Sequence, residues 1–167
     1  HLDAAASLLA NAFLEDPDVA AILKGNLSKR RRVLESHYRI LVDLFLPYPA
    51  SGCATVEGEL AGVMLVCAPG EEPITLGGLI RFFIAMLYQL NPGAFRRGWK
   101  SARDDENHRP RDPHYYLSTL AVAPERQGCG IGGFLLRRLI GIADREGISI
   151  YLSSTNPKAI PFYQRNG

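Results

Sequence analysis

Between Gln127 and Gly133 the chain reads Gln-Gly-Cys-Gly-Ile-Gly-Gly, with glycine at four of six successive positions from Gly128. The segments on either side of this run limit the fold more than any other feature. Before it, His114 to Val122 (HYYLSTLAV) is rich in aromatic and β-branched residues and predicts a central strand. Ala123-Pro124-Glu125-Arg126 then turns the chain. After it, Ile131, Phe134, Leu135, Leu139, Ile142 and Ala143 recur at helical spacing, and Gly147 ends that helix. Ile148 to Leu152 predicts a second strand. A strand, a glycine loop and a helix in that order form an anion site. The first helical N–H groups have no intrahelical partner, and the helix dipole favours negative charge there. Glycine lets the backbone approach a phosphate closely and take positive φ. Arg126, Arg137, Arg138 and Lys158 are candidates to add positive charge. The plainer alternative is that the glycines only make a tight turn.

Two well-known phosphate sites do not fit. Gly128, Gly130 and Gly133 satisfy G-x-G-x-x-G, but a dinucleotide site also needs an acidic residue about 20 positions on. Tyr151, Leu152 and Ser153 stand there instead. The chain has no G-x-x-x-x-G-K-[ST], so it carries no P-loop.

The rest of the chain reads as one domain over residues 1–167, a length that can bury a core without disulfides or metal. Helical patterns cover Asp3–Phe13, ended by Glu15-Asp16-Pro17-Asp18, and a stretch capped by Ser28 that carries Val33 to Phe45 and stops at Pro47. Residues 54–56 and 60–66 predict two strands about a tight turn, and 77–90 and 93–106 predict two further helices. Ile74 to Leu90 is apolar but short for a membrane span and holds Arg81 at its middle, so it is expected to be a buried or cleft-lining helix. Nineteen basic against 17 acidic residues leave a net charge of +2, which gives no general attraction to nucleic acid or acidic membrane. Cys53, Cys67 and Cys129 are odd in number and far apart, as expected of reduced thiols in a cytoplasmic protein. No signal peptide is legible at the start.

At the glycine loop the chain resembles the GNAT (GCN5-related) N-acetyltransferases. The family's pyrophosphate motif is [QR]-x-x-G-x-[GA], and Gln127-Gly128-Cys129-Gly130-Ile131-Gly132 fits every fixed position. Leu120-Ala121-Val122-Ala123-Pro124 looks like the strand end that leads into it. A second family feature follows as Asn156, Ala159, Phe162 and Tyr163, with Gly167 last. The resemblance is carried by residues 114–167; the first 113 agree in their order of elements. Pro161-Phe162-Tyr163 looks most like the puromycin acetyltransferase-like branch. Family members add a strand before the first helix and two strands after the final Gly-Phe, so the resemblance implies a domain truncated or partly observed at both ends. Several members carry a Glu on the strand after the pyrophosphate helix, whereas Tyr151 to Ser154 offer no carboxylate.

The resemblance implies an α/β (α+β) fold: a mostly antiparallel mixed sheet flanked by helices, with two splayed strands holding acetyl-CoA between 114–122 and 148–153. The pyrophosphate would rest on the N–H groups of Gly128, Cys129, Gly130, Ile131, Gly132 and Gly133, behind Gln127. The pantetheine arm would pair like an added strand with Leu120, Ala121 and Val122. A backbone N–H near Val122 would donate to the thioester oxygen, whose charge grows as the tetrahedral intermediate forms. Asn156 would contact the pantetheine or support the splay. Tyr163 occupies the family's position for the acid that protonates the departing thiolate; as a bare residue it reads equally as a packed aromatic. His114 is the candidate base, because its unperturbed pKa near 6.5 suits the task, although a surface or capping histidine has the same sequence signature. His37 lies on an apolar stripe and is expected in the core. Cys129 stands at a helix N-terminus, which lowers a thiol's pKa, but at a variable motif position and is read as filler.

The implied activity is transfer of an acetyl group from acetyl-CoA to a small-molecule amine, with no metal, nucleic acid or membrane partner and room for a homodimer. Phe82, Phe83, Tyr88 and Trp99 hint at an apolar or aromatic amine. The alternative from another class is a non-catalytic acyl-CoA-binding or regulatory module on the same fold. No C-x-x-C, H-E-x-x-H or H-x-x-x-H spacing points to zinc, and no G-x-S-x-G points to a serine hydrolase. Lys29-Arg30-Arg31-Arg32 reads as a solvated helix start.

Overall fold

Helical periodicity at the N-terminus becomes a packed pair of helices. In the computed structural model, which describes residues 2–45, 47–71, 92–154 and 156–167, α1 (Leu2–Ala12) buries Ala5, Ala6, Leu8, Leu9 and Ala10. Helix α3 (Leu27–Phe45) buries Leu34, Tyr38, Val42 and Phe45 against it. The cap of α3 is Asn26, whose Oδ1 accepts the Lys29 N–H at 2.8 Å, and not Ser28. Between them lies α2 (Pro17–Ile22), where Glu15-Asp16-Pro17-Asp18 predicts only a helix end. Asp16 caps it, with Oδ1 accepting the N–H groups of Asp18 and Val19 at 3.0 and 3.4 Å. Pro17 stands at the first helical position, where a missing N–H is harmless.

Among the described residues four strands make one sheet in the order β1-β2-β3-β4. β1 (Gly52–Val56) and β2 (Glu59–Cys67) are antiparallel about Glu57-Gly58, whose φ values of 54° and 83° match the two left-handed positions of a type I′ hairpin turn. β2 also pairs antiparallel with β3 (His114–Val122). The chain then passes through α5 (Ile131–Glu146) to β4 (Ser149–Tyr151), which lies parallel to β3. Preceding β3 is α4 (Pro92–His108), and α6 (Ile160–Arg165) follows β4. Asn156 and Pro157 open a turn ahead of α6, and Pro161 stands in the first turn of the helix. The expected helix at 77–90 lies outside the described residues.

The sheet separates two apolar cores. Val63, Leu65, Cys67, Ala121 and Ala123 face α1 and α3. Met64, Val66, Tyr115 and Leu117 face Ile131, Leu135, Leu136, Leu139 and Ala143 of α5. At Gly62 the helix comes very close: a Cβ there would lie 2.9 Å from Ile131 Cγ2 and 3.0 Å from Leu135 Cδ1. Glycine at that position sets how near the start of α5 lies to the sheet.

β3 contains a bulge. Leu65 pairs with Thr119 but Val66 with Leu117, so Ser118 is an extra residue. One extra residue inverts the alternation of a strand. Tyr115 and Leu117 accordingly face α5 before it, while Leu120 and Val122 do so after it.

Candidate active site

The same bulge sits where the sheet divides. β3 and β4 pair at His114–Ser149, Tyr115–Ile150 and Tyr116–Tyr151, and then part. Bulges bend a strand and increase its twist, and Ser118 lies two residues beyond the last pair. The closed end is pinned by rings: Tyr116 stacks on Tyr151 at 6.0 Å, His114 meets Tyr151 edge-on at 5.6 Å, and the Arg109 guanidinium lies 4.1 Å over the Tyr116 ring. Tyr115 is tied to the end of α5 through a 2.6 Å hydrogen bond from its hydroxyl to Glu146 Oε2. Beyond Tyr116, no described strand pairs with the outer edge of β3, which leaves main-chain groups of the Leu120–Val122 stretch turned toward a fork.

At the open end of the fork stands the glycine loop. Gly128 and Gly130 have φ of 79° and 82°, in the left-handed region that disfavours any side chain. Gly130 is the N-cap of α5 and supplies no capping side chain. The first helical bond runs from the Phe134 N–H to the Gly130 carbonyl at 2.9 Å, so the N–H groups of residues 131–133 precede the ladder. Gln127 turns its side chain back, with Nε2 donating to the Val122 carbonyl at 3.3 Å, which links loop to strand end. Cys129 is exposed and free, its Sγ 3.9 Å from the Gln127 carbonyl. An uncapped helix start behind two left-handed glycines, next to an open strand edge, fits the diphosphate and amide-bearing arm of coenzyme A.

Around the loop the candidate cations are differently occupied. Arg138 donates to the carbonyls of Pro49, Ala50 and Ser51 at 3.1–3.4 Å and so holds the entry to β1. Arg126 reaches Glu57 at 3.4 Å. Arg137 folds back along its own helix, with Nη1 3.0 Å from where a Gly133 Cβ would be. Lys158 is exposed, and its backbone N–H donates to Asn156 Oδ1 at 3.0 Å.

Helix α6 packs on the first turn of α5. Phe162 Cζ would be 3.4 Å from a Cβ at Gly132, with Val122 Cγ2 at 3.5 Å. That seat brings Tyr163, edge-on to Phe162 at 5.1 Å, to the same end of the sheet. Burial pushes the Tyr163 hydroxyl above the usual phenol range. Asn156, on the segment between β4 and α6, reaches across to Asp16 with Nδ2 3.4 Å from Oδ2. His114 stands apart. It belongs to the first pair of the closed end, six residues before Leu120, about 20 Å along an extended strand. Its Nδ1 lies 2.7 Å from the Asp112 carbonyl. His37 packs edge-on to Tyr38 at 5.2 Å; its dense surroundings push its pKa down to about 4, so the ring is neutral near pH 7 although part of its surface is exposed. Among the described residues no three His, Cys, Asp or Glu side chains gather as a metal site, and no helix is long and apolar enough to cross a membrane. The sequence reading missed Asp16 as part of this region. Its only local signal was that of a helix breaker, and its link to Asn156 spans 140 positions.

The family model of the acetyltransferase (GNAT) family matches residues 26–167. The chain belongs to this family. Among curated proteins, this GNAT chain is 26% identical to a probable serine/threonine-protein kinase of Dictyostelium discoideum, over 99% of the chain but 19% of that protein. It is 25% identical to an uncharacterized N-acetyltransferase of Schizosaccharomyces pombe, over 98% of the chain and 68% of that protein. The chain thus spans about a fifth of the first relative and two thirds of the second. Among solved structures, it superposes on arylalkylamine N-acetyltransferase 2 from Aedes aegypti with a TM-score of 0.63 at 15% identity, covering 99% of this chain and 77% of that one. That likeness is one of fold: a mixed α/β sheet flanked by helices, as the resemblance implied.

Proposed function

We propose that this GNAT chain is an N-acetyltransferase that moves the acetyl group of acetyl-CoA to a primary amine of a small molecule by direct attack. One observation carries the reading: the uncapped start of α5 behind Gly128 and Gly130 lies at the mouth of the fork whose wall is the open edge of β3. Acetyl-CoA supplies an activated acetyl thioester. The N–H groups of residues 128–133 hold its diphosphate, and the main chain of Leu120, Ala121 and Val122 pairs with its amide-bearing arm. A backbone N–H of that stretch donates to the thioester oxygen as charge builds on it. Asn156, fixed by its bonds to Asp16 and to the Lys158 N–H, keeps the segment after β4 away from β3.

Tyr163 holds the proton that the departing sulfur needs. Desolvation keeps its hydroxyl protonated well above neutral pH. The same surroundings would raise the pKa of a thiolate beside it, so donor and acceptor stay matched. The amine must attack in its neutral form, and in this reading its proton leaves through water. His114 lies too far along the strand to touch an amine beside Leu120. The closer likeness to puromycin acetyltransferase-like proteins rests on Pro161-Phe162-Tyr163, and the three free cysteines suit the cytoplasm. Thiol release from acetyl-CoA, followed across a panel of primary amines, tests the proposal. Amine-dependent release is expected. Tight CoA binding with no release for any amine would favour the acyl-CoA-binding module, which the lack of a carboxylate at Tyr151–Ser154 also suits.

A further inference from the structure

The net charge of +2 hides an uneven distribution. Residues 19–34 hold Lys24, Lys29, Arg30, Arg31 and Arg32, residues 92–103 hold Arg96, Arg97, Lys100 and Arg103, and neither stretch contains an Asp or Glu. Nine of the 19 basic residues thus lie where no carboxylate does, and the rest of the chain holds ten against 17 acidic ones. The fold brings the two stretches together. α2 packs against α4, and two guanidinium groups meet at the end of α2: Arg97 Nη2 donates to the Ile22 carbonyl at 2.8 Å and Arg30 Nε to the Leu23 carbonyl at 3.2 Å. Those two cations satisfy carbonyls at a helix end, and Arg31 donates to Asn11 Oδ1. Lys24, Lys29, Arg32, Arg96, Lys100 and Arg103 are exposed. Lys100 pairs with Asp104 at 2.9 Å, and with Asp105 and Glu106 this residue confines the acidic charge of α4 to its last turns. Two large apolar side chains stand out of the same region. Arg96, Trp99, Lys100 and Arg103 share one face of α4 at helical spacing, and Trp99 is 53% exposed. Leu27, one turn before Arg30 on α3, is 50% exposed.

We propose that this face docks the protein on an anionic phospholipid surface, with α4 lying in the plane of the bilayer. Charge alone would draw it to any polyanion. The exposed Leu27 and Trp99 decide the partner: a bilayer offers acidic headgroups over an apolar layer, whereas a nucleic acid could stack on Trp99 but gains nothing from Leu27. An indole suits the headgroup level, where its ring is partly immersed and its N–H stays hydrated. Lys and Arg beside it rest their stems on the apolar layer and keep their charges among the headgroups. The acidic surplus of the rest of the chain is repelled by the same surface and so orients the protein on it. The inference is independent of the acetyl-transfer reading.

Vesicles of phosphatidylcholine and phosphatidylserine in equal parts are the probe, with phosphatidylcholine alone as the reference. Trp99 is the one tryptophan of the chain, so its emission reports on α4. The protein should sediment with the mixed vesicles and not with the reference, its emission should shift to the blue on binding, and rising salt should release it. Each Lys or Arg near such a surface contributes about fivefold in affinity, so Arg96→Gln, Lys100→Gln and Arg103→Gln together should weaken binding about 100-fold. Arg39→Gln, Arg111→Gln and Arg145→Gln together remove as many exposed charges outside the two stretches and should weaken it far less. Equal losses in the two triple variants would overturn the inference, as would no binding to the mixed vesicles, equal binding to both kinds, or binding that leaves Trp99 emission unchanged. Binding to polyuridylate RNA in place of the mixed vesicles overturns it in favour of a nucleic-acid site. Should the α4 variant fold poorly by circular dichroism, lipids brominated on their acyl chains give a readout in the wild type: they should quench Trp99, and unquenched emission from vesicle-bound protein would refute the docking.

Discussion

Tyr163 is the side chain on which the chemistry can be tested most directly. Tyr163→Phe keeps the ring packed beside Phe162 and removes the hydroxyl. If it supplies the proton, kcat falls by about 10²–10⁴ while affinity for acetyl-CoA stays near normal. Because burial raises its pKa, the wild-type kcat should hold until the pH exceeds the usual phenol range and fall only above it, as the acid is lost. The variant should lack that alkaline limb. An unchanged kcat, with single-turnover measurement showing chemistry to be rate-limiting, would remove Tyr163 from the mechanism. At this scale the sequence was most legible where backbone geometry leaves one residue type: Gly128 and Gly130 need positive φ, and the glycines were read as a loop for that reason. It was least legible at Asp16 and Arg138. Their partners, Asn156 and the carbonyls of residues 49–51, are brought to them only by the fold.

Within the described residues, elements announced by a long period were found, and those set by a few residues were misplaced. Pro17 signals the end of α1 and is also the beginning of α2, because proline both discourages helix before it and suits the first helical position. Asn26 rather than Ser28 caps α3, since both residues offer a side-chain oxygen and only the path of the chain decides between them. The bulge at Ser118 left no trace, because HYYLSTLAV reads as an acceptable strand with or without it. Two glycine variants separate the parts of the loop. Gly130→Val forces a branched residue to φ near 82° and should cost a few kcal/mol together with CoA binding. Gly132→Val meets Phe162 and Val122 instead and should loosen α6 from α5, lowering kcat as Tyr163 shifts. Circular dichroism for folding and calorimetry for CoA binding check both. Normal CoA affinity in a folded Gly130→Val would refute the anion site.

For the molecule as a whole, the mixed sheet flanked by helices is what the resemblance at the glycine loop implied, and the structure shows it. The division of that sheet follows from pairing register, which no residue pattern records. Binding across the fork joins α5, β3 and the segment after β4, so it should stabilise the protein globally. CoA or acetyl-CoA at 100 times its dissociation constant contributes about 2.7 kcal/mol. At roughly 2–4 °C per kcal/mol for a chain of this size, Tm should rise by about 5–10 °C. NADH should leave it unmoved, and a shift with NADH but none with CoA would sink the assignment. The fork has another side. A strand edge without a partner is a template on which a neighbouring molecule can lay down a strand of its own, the first step toward aggregation. Among the described residues the stretch of β3 past Tyr116 is such an edge, and the ring cluster marks where pairing with β4 ends. In the proposed reading the ligand that fills the opening would also mask it, so coenzyme A should lower the protein's tendency to aggregate, which light scattering with and without the ligand would check.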